Sequence, residues 1–283
     1  MESAPRTRRR ADGSPSARTL LLTVLGEYVR YAGDERVWSQ AVVGALGGCG
    51  VGEAATRRAV TRLVREGWLG TESVGRWTRL VLEPRLVTLL TAWTHRLERA
   101  VEETPWRGEW QQLLLRVPAE AWRDRPLVEE QLAFEGFGSL GQGVWIAADA
   151  GGVAAVRGLL REQGLTPYAV WLVSRSGSPA ERRALVDRAW DLTAVRAAHD
   201  TFLARFGDVP TTPPSSDEES FVLRTRLVHA WRSTFERDPR LPGSLLPADW
   251  PGPAATRLFV DTWRLLRGPA DRHWGWLAAD PRS

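Results

Sequence analysis

The stretch GEAATRRAVTRLVREGWL, residues 52–69, decides the fold predicted from this sequence. When it is projected on a helix at about 100° per residue, its small and aliphatic residues fall on one half and its basic residues on the other. Gly67 is typical of the residue that follows a helix C-terminus. The stretch therefore predicts a helix over 52–66 with one buried face and one face of guanidinium groups. The residues on that second face are Arg57, Arg58, Thr61, Arg62 and Arg65.

Two shorter helices are predicted before this stretch and a β-hairpin after it. Residues 16–31 have apolar side chains at helical spacing, and residues 39–46 fit a second helix. The runs at 68–69 and 77–82 are β-like and flank a polar tip. Three helices followed by a hairpin are the order of a winged helix-turn-helix, in which the third helix enters the major groove.

The rest of the chain predicts two further kinds of structure. A helix with an apolar stripe begins at Pro84, and it either forms a dimer seam or packs within its own chain. Residues 105–175 follow the order β-α-β-β-α-β of a ferredoxin-like domain, and helices follow them. The predicted class is α+β, with a disordered basic arm at 1–16, a winged helix domain at 17–83, a linker or dimerisation helix at 84–104, a ferredoxin-like domain at 105–176 and an all-helical effector or dimerisation domain at 177–283.

Charge is distributed unevenly along the 283 residues. All 38 basic residues are arginine, and the net charge of +4 divides into +5 for residues 1–102 and −1 for the remainder. A basic first third suggests an anionic partner, most simply nucleic acid, although a solvated basic surface is the alternative. A single cysteine and the absence of a long apolar run predict a cytoplasmic protein with no membrane association.

The residues expected to contact double-stranded DNA lie on the predicted third helix and on the hairpin. Arginine matches phosphate and the guanine edge through paired hydrogen bonds, and threonine can meet phosphate or a thymine methyl group. A solvated helix face is the alternative interpretation. The expected contact residues are Thr56, Arg57, Arg58, Thr61, Arg62 and Arg65 on the helix, and Arg76 and Arg79 on the wing.

Other motifs favour no catalytic chemistry. Residues 136–141 match G-x-G-x-x-G, but a predicted helix precedes them and a strand follows, the reverse of a dinucleotide site. The four histidines are dispersed, and no nucleophile elbow is present. We therefore predict no enzyme, no cofactor and no metal. Two alternatives stay open: an enzyme that acts on a coenzyme A thioester or a nucleic acid, and an interaction module that no longer reads DNA.

Several blocks of the sequence together point to a known family. They are ARTLLLTVLGEY at 17–28, TRRAVTRLVREGWL at 56–69, WRGEW at 106–110, GFGSLGQGVWI at 136–146, WDL at 190–192, RLVHAWR at 226–232, DPRLP at 238–242 and LLPADWPG at 245–252. With these blocks the chain resembles the PaaX-like regulators, a family named for the repressor of phenylacetic acid degradation, from about residue 18 to residue 266. Its wing differs from the family pattern after Gly75-Arg76, so the operator and the inducer are expected to differ as well.

The resemblance implies a dimeric repressor of catabolic genes, located with the nucleoid in the cytoplasm. It implies that an aryl thioester of coenzyme A, such as phenylacetyl-CoA, relieves repression. Such a ligand needs cationic groups for its phosphates and an apolar slot for its acyl group, and the alternative is that the same residues form a core. The candidate effector residues are Arg226, His229, Trp231, Arg232 and Trp250.

Overall fold

The computed structural model describes residues 16–30, 35–101, 106–235 and 238–282, with side chains described outside 95–101 and 235. Apart from Ser16, the predicted basic arm lies outside these residues, as does the predicted end of the first helix at Tyr31. Among the helices of the described residues, none combines the length and the hydropathy that a membrane span needs.

The described residues pack into two compact units. The first contains the described parts of 1–101, 202–232 and 256–283, and the second contains those of 102–201 and 233–255. Both units are therefore built from segments that are distant in sequence. The two units are defined by packing and not by position along the chain. The domain boundaries predicted from the sequence therefore stay predictions.

The N-terminal elements run in the order helix, strand, helix, helix, strand, strand, helix. Helix α1 continues into a π-helical turn at Leu25–Val29. The elements are α1 (Ala17–Val24), β1 (Arg36–Trp38), α2 (Ser39–Gly48), α3 (Glu53–Arg65), β2 (Leu69–Val74), β3 (Trp77–Leu82) and α4 (Pro84–Val101). Later helices that contribute residues to this unit are α8 (Leu192–Phe206), α9 (Asp217–Phe235) and α10 (Gly252–Leu277).

These elements confirm the predicted winged helix. The three strands form a sheet in the order β1-β3-β2, and β3 pairs antiparallel with both neighbours. Strand β1 was not predicted, because a strand of three residues is too short to show alternation. It places Trp38 opposite Arg79 in the neighbouring strand.

Helix α1 is buried on all its faces, although the sequence predicts an amphipathic helix. Ser16 caps the helix, because its hydroxyl oxygen accepts a hydrogen bond from the amide of Thr19 at 3.2 Å. Beyond the winged helix, the ring of Tyr28 lies 4.7 Å from that of Phe221 and 5.4 Å from that of Trp274. The segment 17–29 therefore has apolar residues on two sides, and those on the side of Tyr28 pack against helices that come much later in the chain.

A buried ion pair joins the π-helical turn after α1 to helix α9. Arg224 donates from Nε to the carboxylate of Glu27 at 2.8 Å and from Nη1 to Asp271 at 2.5 Å. Trp263 donates from Nε1 to the same Glu27 oxygen at 2.6 Å. Burial raises the pKa of Glu27, although the Arg224 guanidinium acts in the opposite direction. Because removing one partner of a buried pair costs about 3–5 kcal/mol, this network ties α9 and α10 to the N-terminal helices.

The apolar stripe of α4 packs within its own chain. Leu86 and Leu90 are buried in the core of the first unit. The guanidinium carbon of Arg232 lies 3.2 Å from the ring centre of Trp93. Of the two interpretations that the sequence left open, the described part of α4 favours packing within the chain over a dimer seam.

The second unit contains the predicted ferredoxin-like sheet. Its elements are β4 (Trp110–Leu115), α5 (Arg125–Phe134), β5 (Gly138–Gly141), β6 (Val144–Ala147), α6 (Val153–Glu162), β7 (Ala169–Ser174) and α7 (Pro179–Ala189). The strands take the order β5-β6-β4-β7, and every pair is antiparallel. Helices α5 and α6 cover one face, where Leu113 packs with Val128 and Val156. On the opposite face, Trp110 packs with Val186 of α7.

The glycine-rich turn around residues 136–143 serves packing. A Cβ atom at Gly138 would lie 2.5 Å from the ring of Trp190, and one at Gly143 would overlap the carbonyl oxygen of Leu115. The motif leads into strand β5 and not into a helix. These contacts support the interpretation as a turn that lets backbone and side chains approach closely.

The helical C-terminal part is present as predicted, but its last helix is longer. The sequence places the end of this helix at Leu266, ahead of Gly268 and Pro269, whereas α10 continues through Pro269 to Leu277. Ala270 in the extended part is fully buried in the first core, with Trp274 packed against that core. Tertiary packing therefore maintains the helix past a residue that lacks an amide donor.

Candidate nucleic-acid interface

Helix α3 presents a basic face because its apolar positions recur at helical spacing. Ala59 and Leu63 are buried, while Arg57, Arg58, Thr61, Arg62 and Arg65 are exposed. At its C-terminus, the amide of Trp68 donates to the carbonyl of Leu63 and that of Gly67 donates to Val64, both at 2.8 Å. Gly67 takes a φ of 66°, as this type of helix ending requires. The ending fixes the direction in which the chain enters strand β2.

Thr56 does not belong to this exposed face. Its side chain is fully buried, and its hydroxyl donates to the carbonyl of Gly52 at 3.4 Å. Position 56 lies on the same side of the helix as Ala59 and Leu63, so the threonine faces the core. We therefore leave Thr56 out of the interface that the sequence predicted. Thr61 is exposed, and its hydroxyl donates to the carbonyl of Arg57 at 3.0 Å.

Two of the four arginines on α3 hold carboxylates on the same helix. Arg57 pairs with Glu53 at 2.6 Å, and Arg62 pairs with Glu66 at 2.8 Å. The arginine side chains are 66% and 62% exposed, so these pairs contribute about 0–1 kcal/mol each. Either arginine can exchange its carboxylate for a phosphate at little cost.

Arg58 and Arg65 have no ion-pair or hydrogen-bond partner among the residues that the structure describes. Both side chains are exposed on the same helix face as the paired arginines. A guanidinium group without a competing carboxylate is ready to make two parallel hydrogen bonds to a guanine edge or to a phosphate.

Glu66 connects the end of α3 to the start of α1. Arg18 donates to its two carboxylate oxygens at 2.9 and 2.5 Å, and Arg62 donates to one of them at 2.8 Å. Hydrogen bonds from Arg18 first, and then from Arg62, lower the pKa of Glu66 to about 2. The carboxylate therefore stays ionised and positions both guanidinium groups.

The two arginines that were predicted to act from the wing lie in different parts of it: Arg76 in the turn and Arg79 within a strand. Gly75 and Arg76 form the two-residue turn between β2 and β3, and Gly75 takes the positive φ of 60° that a tight hairpin turn needs. Arg76 is exposed at this tip, with its guanidinium carbon 4.9 Å from the ring centre of Trp77. The tip of the wing therefore carries an exposed cation.

Arg79 lies within the sheet and not at its tip. It is half-buried in the central strand, opposite Trp38 on one side and Glu72 on the other. Its guanidinium carbon lies 4.2 Å from the ring centre of Trp38. The sequence could not reveal this position, because the strand that supplies Trp38 was not predicted.

Arg85 is a basic residue beside α3 that the sequence analysis missed. Its Nε donates to the carbonyl of Gly67 at 2.9 Å, and its guanidinium carbon lies 4.1 Å from the ring centre of Trp68. An arginine directly after the Pro84 helix start was the available signal. The side chain supports the junction between α3 and β2.

The candidate effector residues are divided between the two units, with Trp250 in the second and the other four in the first. Trp231 is buried and stacks on Phe259, with ring centres 4.9 Å apart. His229 and Arg232 contact first-unit partners: Nδ1 of His229 lies 3.3 Å from the hydroxyl of Thr23. Arg226 is exposed on α9, whereas Trp250 belongs to the second unit, where it packs near Arg196 and His199.

Three family models match successive parts of the chain. The model for the PaaX-like protein matches residues 16–81. The model for the PaaX protein central Cas2-like domain matches residues 103–186, and the one for the PaaX-like protein C-terminal domain matches residues 190–275. Together these models extend over most of the sequence.

Similar proteins agree with these matches. The transcriptional repressor PaaX of Escherichia coli (strain K12) is 30% identical over 259 residues, which are 88% of this chain and 80% of that protein. Among solved structures, an uncharacterized protein from Mycobacterium tuberculosis has a TM-score of 0.57 at 24% identity, covering 91% of this chain and 98% of that chain. The second likeness shows the fold.

Proposed function

The chain belongs to the PaaX-like family, and from this premise we propose that it is a DNA-binding transcriptional regulator that acts as a repressor. The observation that carries the proposal is the exposed guanidinium face of α3, which lies opposite a buried face in a winged helix. The E. coli relative is a transcriptional repressor by name. We propose no enzymatic activity and a location with the nucleoid in the cytoplasm.

In this proposal α3 lies in the major groove and the wing follows the adjacent backbone. Arg58 and Arg65 make direct contacts, because no described carboxylate competes for them. Arg57 and Arg62, whose own side chains are exposed, exchange their carboxylate partners for phosphates. The hydroxyl or methyl group of Thr61 lies within reach of the same groove. Arg76 contacts a phosphate from the tip of the wing. Phosphate contacts set position, and base contacts set sequence preference.

We further propose that the protein binds DNA as a homodimer. Two α3 helices would then read half-sites about 34–36 Å apart, or a multiple of that spacing. The support comes from the family resemblance. A footprint with two protected half-sites at this spacing, together with a dimeric mass in sedimentation, is the expected result.

We also propose that an acyl-CoA thioester, with phenylacetyl-CoA as the first candidate, releases the protein from DNA. Arg226 is an exposed cation on α9 that could meet a phosphate group. Calorimetry with phenylacetyl-CoA is expected to show saturable binding, and the same ligand is expected to weaken the DNA complex. Absence of both effects contradicts this part of the proposal.

The central experiment measures binding of the intact protein to DNA from upstream of its own gene. We expect a specific, salt-dependent complex in a fluorescence anisotropy titration. Arg58→Ala should weaken specific binding by about 1–3 kcal/mol and relax the preference at one base pair. Arg161→Ala, which removes an exposed arginine from α6, serves as the matched control and should leave binding unchanged. Equal affinity of wild type and Arg58→Ala for all sequences would contradict the assignment of α3.

A further inference from the structure

Trp38 lies on the outer face of the sheet formed by β1, β2 and β3, here called the wing sheet. It is opposite Arg79 in the neighbouring strand, and successive side chains of a strand alternate between the two faces. Leu80 and Leu82 therefore point to the other face, where both are buried in the core of the first unit. Trp38 is nevertheless only 5% exposed. Other parts of the chain must cover it.

Residues 277–282, here called the C-terminal strap, contribute to this cover. The guanidinium carbon of Arg282 lies 5.7 Å from the ring centre of Trp38, and that of Arg79 lies 4.2 Å from the same centre. Ala278 and Asp280 line a surface cleft together with Trp38. The strap therefore lies against strands β1 and β3.

The start of the strap is anchored to helix α2. Leu277 packs against the core of the first unit, and a Cβ atom at Gly44 would lie only 2.9 Å from its Cδ2. The missing side chain at position 44 of α2 thus lets Leu277 approach this helix closely. The strap connects α2, the helix that precedes α3, to the wing sheet.

Asp280 is the acidic residue of the strap. Its carboxylate accepts hydrogen bonds from Nε and Nη2 of Arg282 at 2.9 and 2.5 Å. Hydrogen bonds from Arg282 lower the pKa of Asp280 to about 2, and the charge of Arg79 acts in the same direction. The carboxylate is therefore ionised. Two guanidinium groups beside one tryptophan ring repel each other, and the negative charge of Asp280 offsets that repulsion.

The strap meets the wing sheet at the point where the third strand ends. Trp38 is the last residue of β1, and its pairing with Arg79 is the last contact of β1 on the way to the wing turn. From there to Gly75 and Arg76, the sheet consists of β2 and β3 alone. A hairpin of two strands has little stability of its own, so contacts at this point affect how far the tip moves.

We propose that the C-terminal strap holds the wing in the position from which it meets DNA, with Asp280 as the positioning residue. A wing that is already held in place loses less conformational freedom when it binds. The inference rests on the proposed function and deepens it, because it gives a segment outside the DNA-contacting surface a part in the same complex.

Hydrogen exchange of the full chain without DNA tests whether the strap holds the wing. In Asp280→Ala, the amides of residues 72–78 should exchange about threefold faster or more, while those of α3 stay unchanged. Asp261→Ala is the matched control, because it also removes an acidic side chain, from an exposed position on α10, and it should change neither set of amides. Equal exchange in the wing of wild type and Asp280→Ala overturns the proposal.

Anisotropy titrations with the DNA upstream of the gene test the consequence for binding. Loss of a negative charge by itself strengthens attraction to DNA. Asp280→Ala should instead weaken specific binding by about three- to tenfold, because the wing must then be ordered on binding. Asp261→Ala should not weaken it. Tighter or unchanged binding by Asp280→Ala overturns the proposal.

A double variant separates positioning from a general loss of stability. Arg76→Ala should cost about twofold less affinity, or even less, in the Asp280→Ala protein than in wild type, because Arg76 then acts from a wing that is no longer held; independent sites would give additive losses. Additive losses overturn the proposal. Absence of a specific complex with wild type contradicts the proposed function instead, and hydrogen exchange then decides separately whether the strap holds the wing.

Discussion

At the scale of single residues, the four arginines of α3 fall into two pairs with different surroundings. Arg57 and Arg62 each hold a carboxylate, whereas Arg58 and Arg65 have no partner among the described residues. The pairing keeps two of the guanidinium groups from repelling their neighbours in the free protein. We therefore expect Arg58 and Arg65 to determine sequence preference and the paired arginines to add general affinity.

Arg76 belongs to the backbone contacts in this scheme. Arg76→Ala removes an exposed guanidinium group from the turn between β2 and β3. Because a phosphate contact carries no sequence information, the variant should weaken binding to all DNA sequences by a similar factor. The slope of log affinity against log salt should fall by about one. Anisotropy titrations at several salt concentrations measure both effects, and a loss confined to one base pair would instead indicate base reading by the wing.

Glu66 predicts a stability that depends on pH. Arg18 and Arg62 lower its pKa from 4.5 to about 2, so the ionised carboxylate stabilises the fold above about pH 4.5. This contribution disappears as the pH falls toward 2. Glu66→Gln should cost about 1–2 kcal/mol at pH 7, and the difference from wild type should shrink as the pH falls below about 4.

Urea unfolding at pH 7 and pH 3 measures this difference. Glu72→Gln is the matched control, because Glu72 is in an exposed pair with Arg36 and its loss should change the free energy of unfolding by less than about 0.5 kcal/mol. A pH-independent difference for Glu66→Gln would contradict the proposed role of its charge.

At the scale of elements, the end of α3 depends on one backbone conformation. Gly67 takes a φ of 66°, which costs an L-residue with a Cβ about 1–2 kcal/mol. Gly67→Ala should therefore destabilise the protein by about that amount. Gly47→Ala is the matched control with the opposite sign: Gly47 lies in α2, and a Cβ there meets nothing within 4 Å, so alanine should stabilise by about 0.5–1 kcal/mol. Thermal unfolding of both variants decides the matter.

The elements differ in how well the sequence reveals them. Helix α3 was predictable because its apolar and basic residues separate at helical spacing and Gly67 marks its end. The ferredoxin-like order was predictable because turn residues separate its strands and helices. Strand β1 and the position of Arg79 were not predictable, since a strand of three residues leaves no pattern. Thr56 was misassigned because a threonine near a helix start fits either face.

At the scale of the whole molecule, the winged helix depends on helices from the end of the chain. The core of the first unit includes Phe221 and Ala270 together with residues of α1. No local sequence pattern predicts contacts between residues so far apart in the chain. The sequence therefore predicted that α1 exposes one face. The sequence therefore predicts which elements form but not which distant helices complete the core.

A fragment ending at residue 101 tests this dependence. It lacks Phe221, Trp274 and the Arg224 partner of the buried Glu27, so we expect it to lose cooperative unfolding and to associate through exposed apolar surface. Thermal unfolding monitored by circular dichroism and light scattering measure both properties. A fragment that unfolds cooperatively and binds DNA as the full chain does would show that the winged helix is self-sufficient.

The discontinuous first unit also sets the time at which it can fold during synthesis. Its N-terminal segment ends at residue 101, and its last segment begins at residue 256. At about 5–20 residues per second, translation of the intervening chain lasts roughly 8–30 s. During that interval the nascent N-terminal segment lacks the last helix that covers it in the complete chain. We therefore expect the proposed DNA binding to begin only after nearly the whole polypeptide has been synthesised.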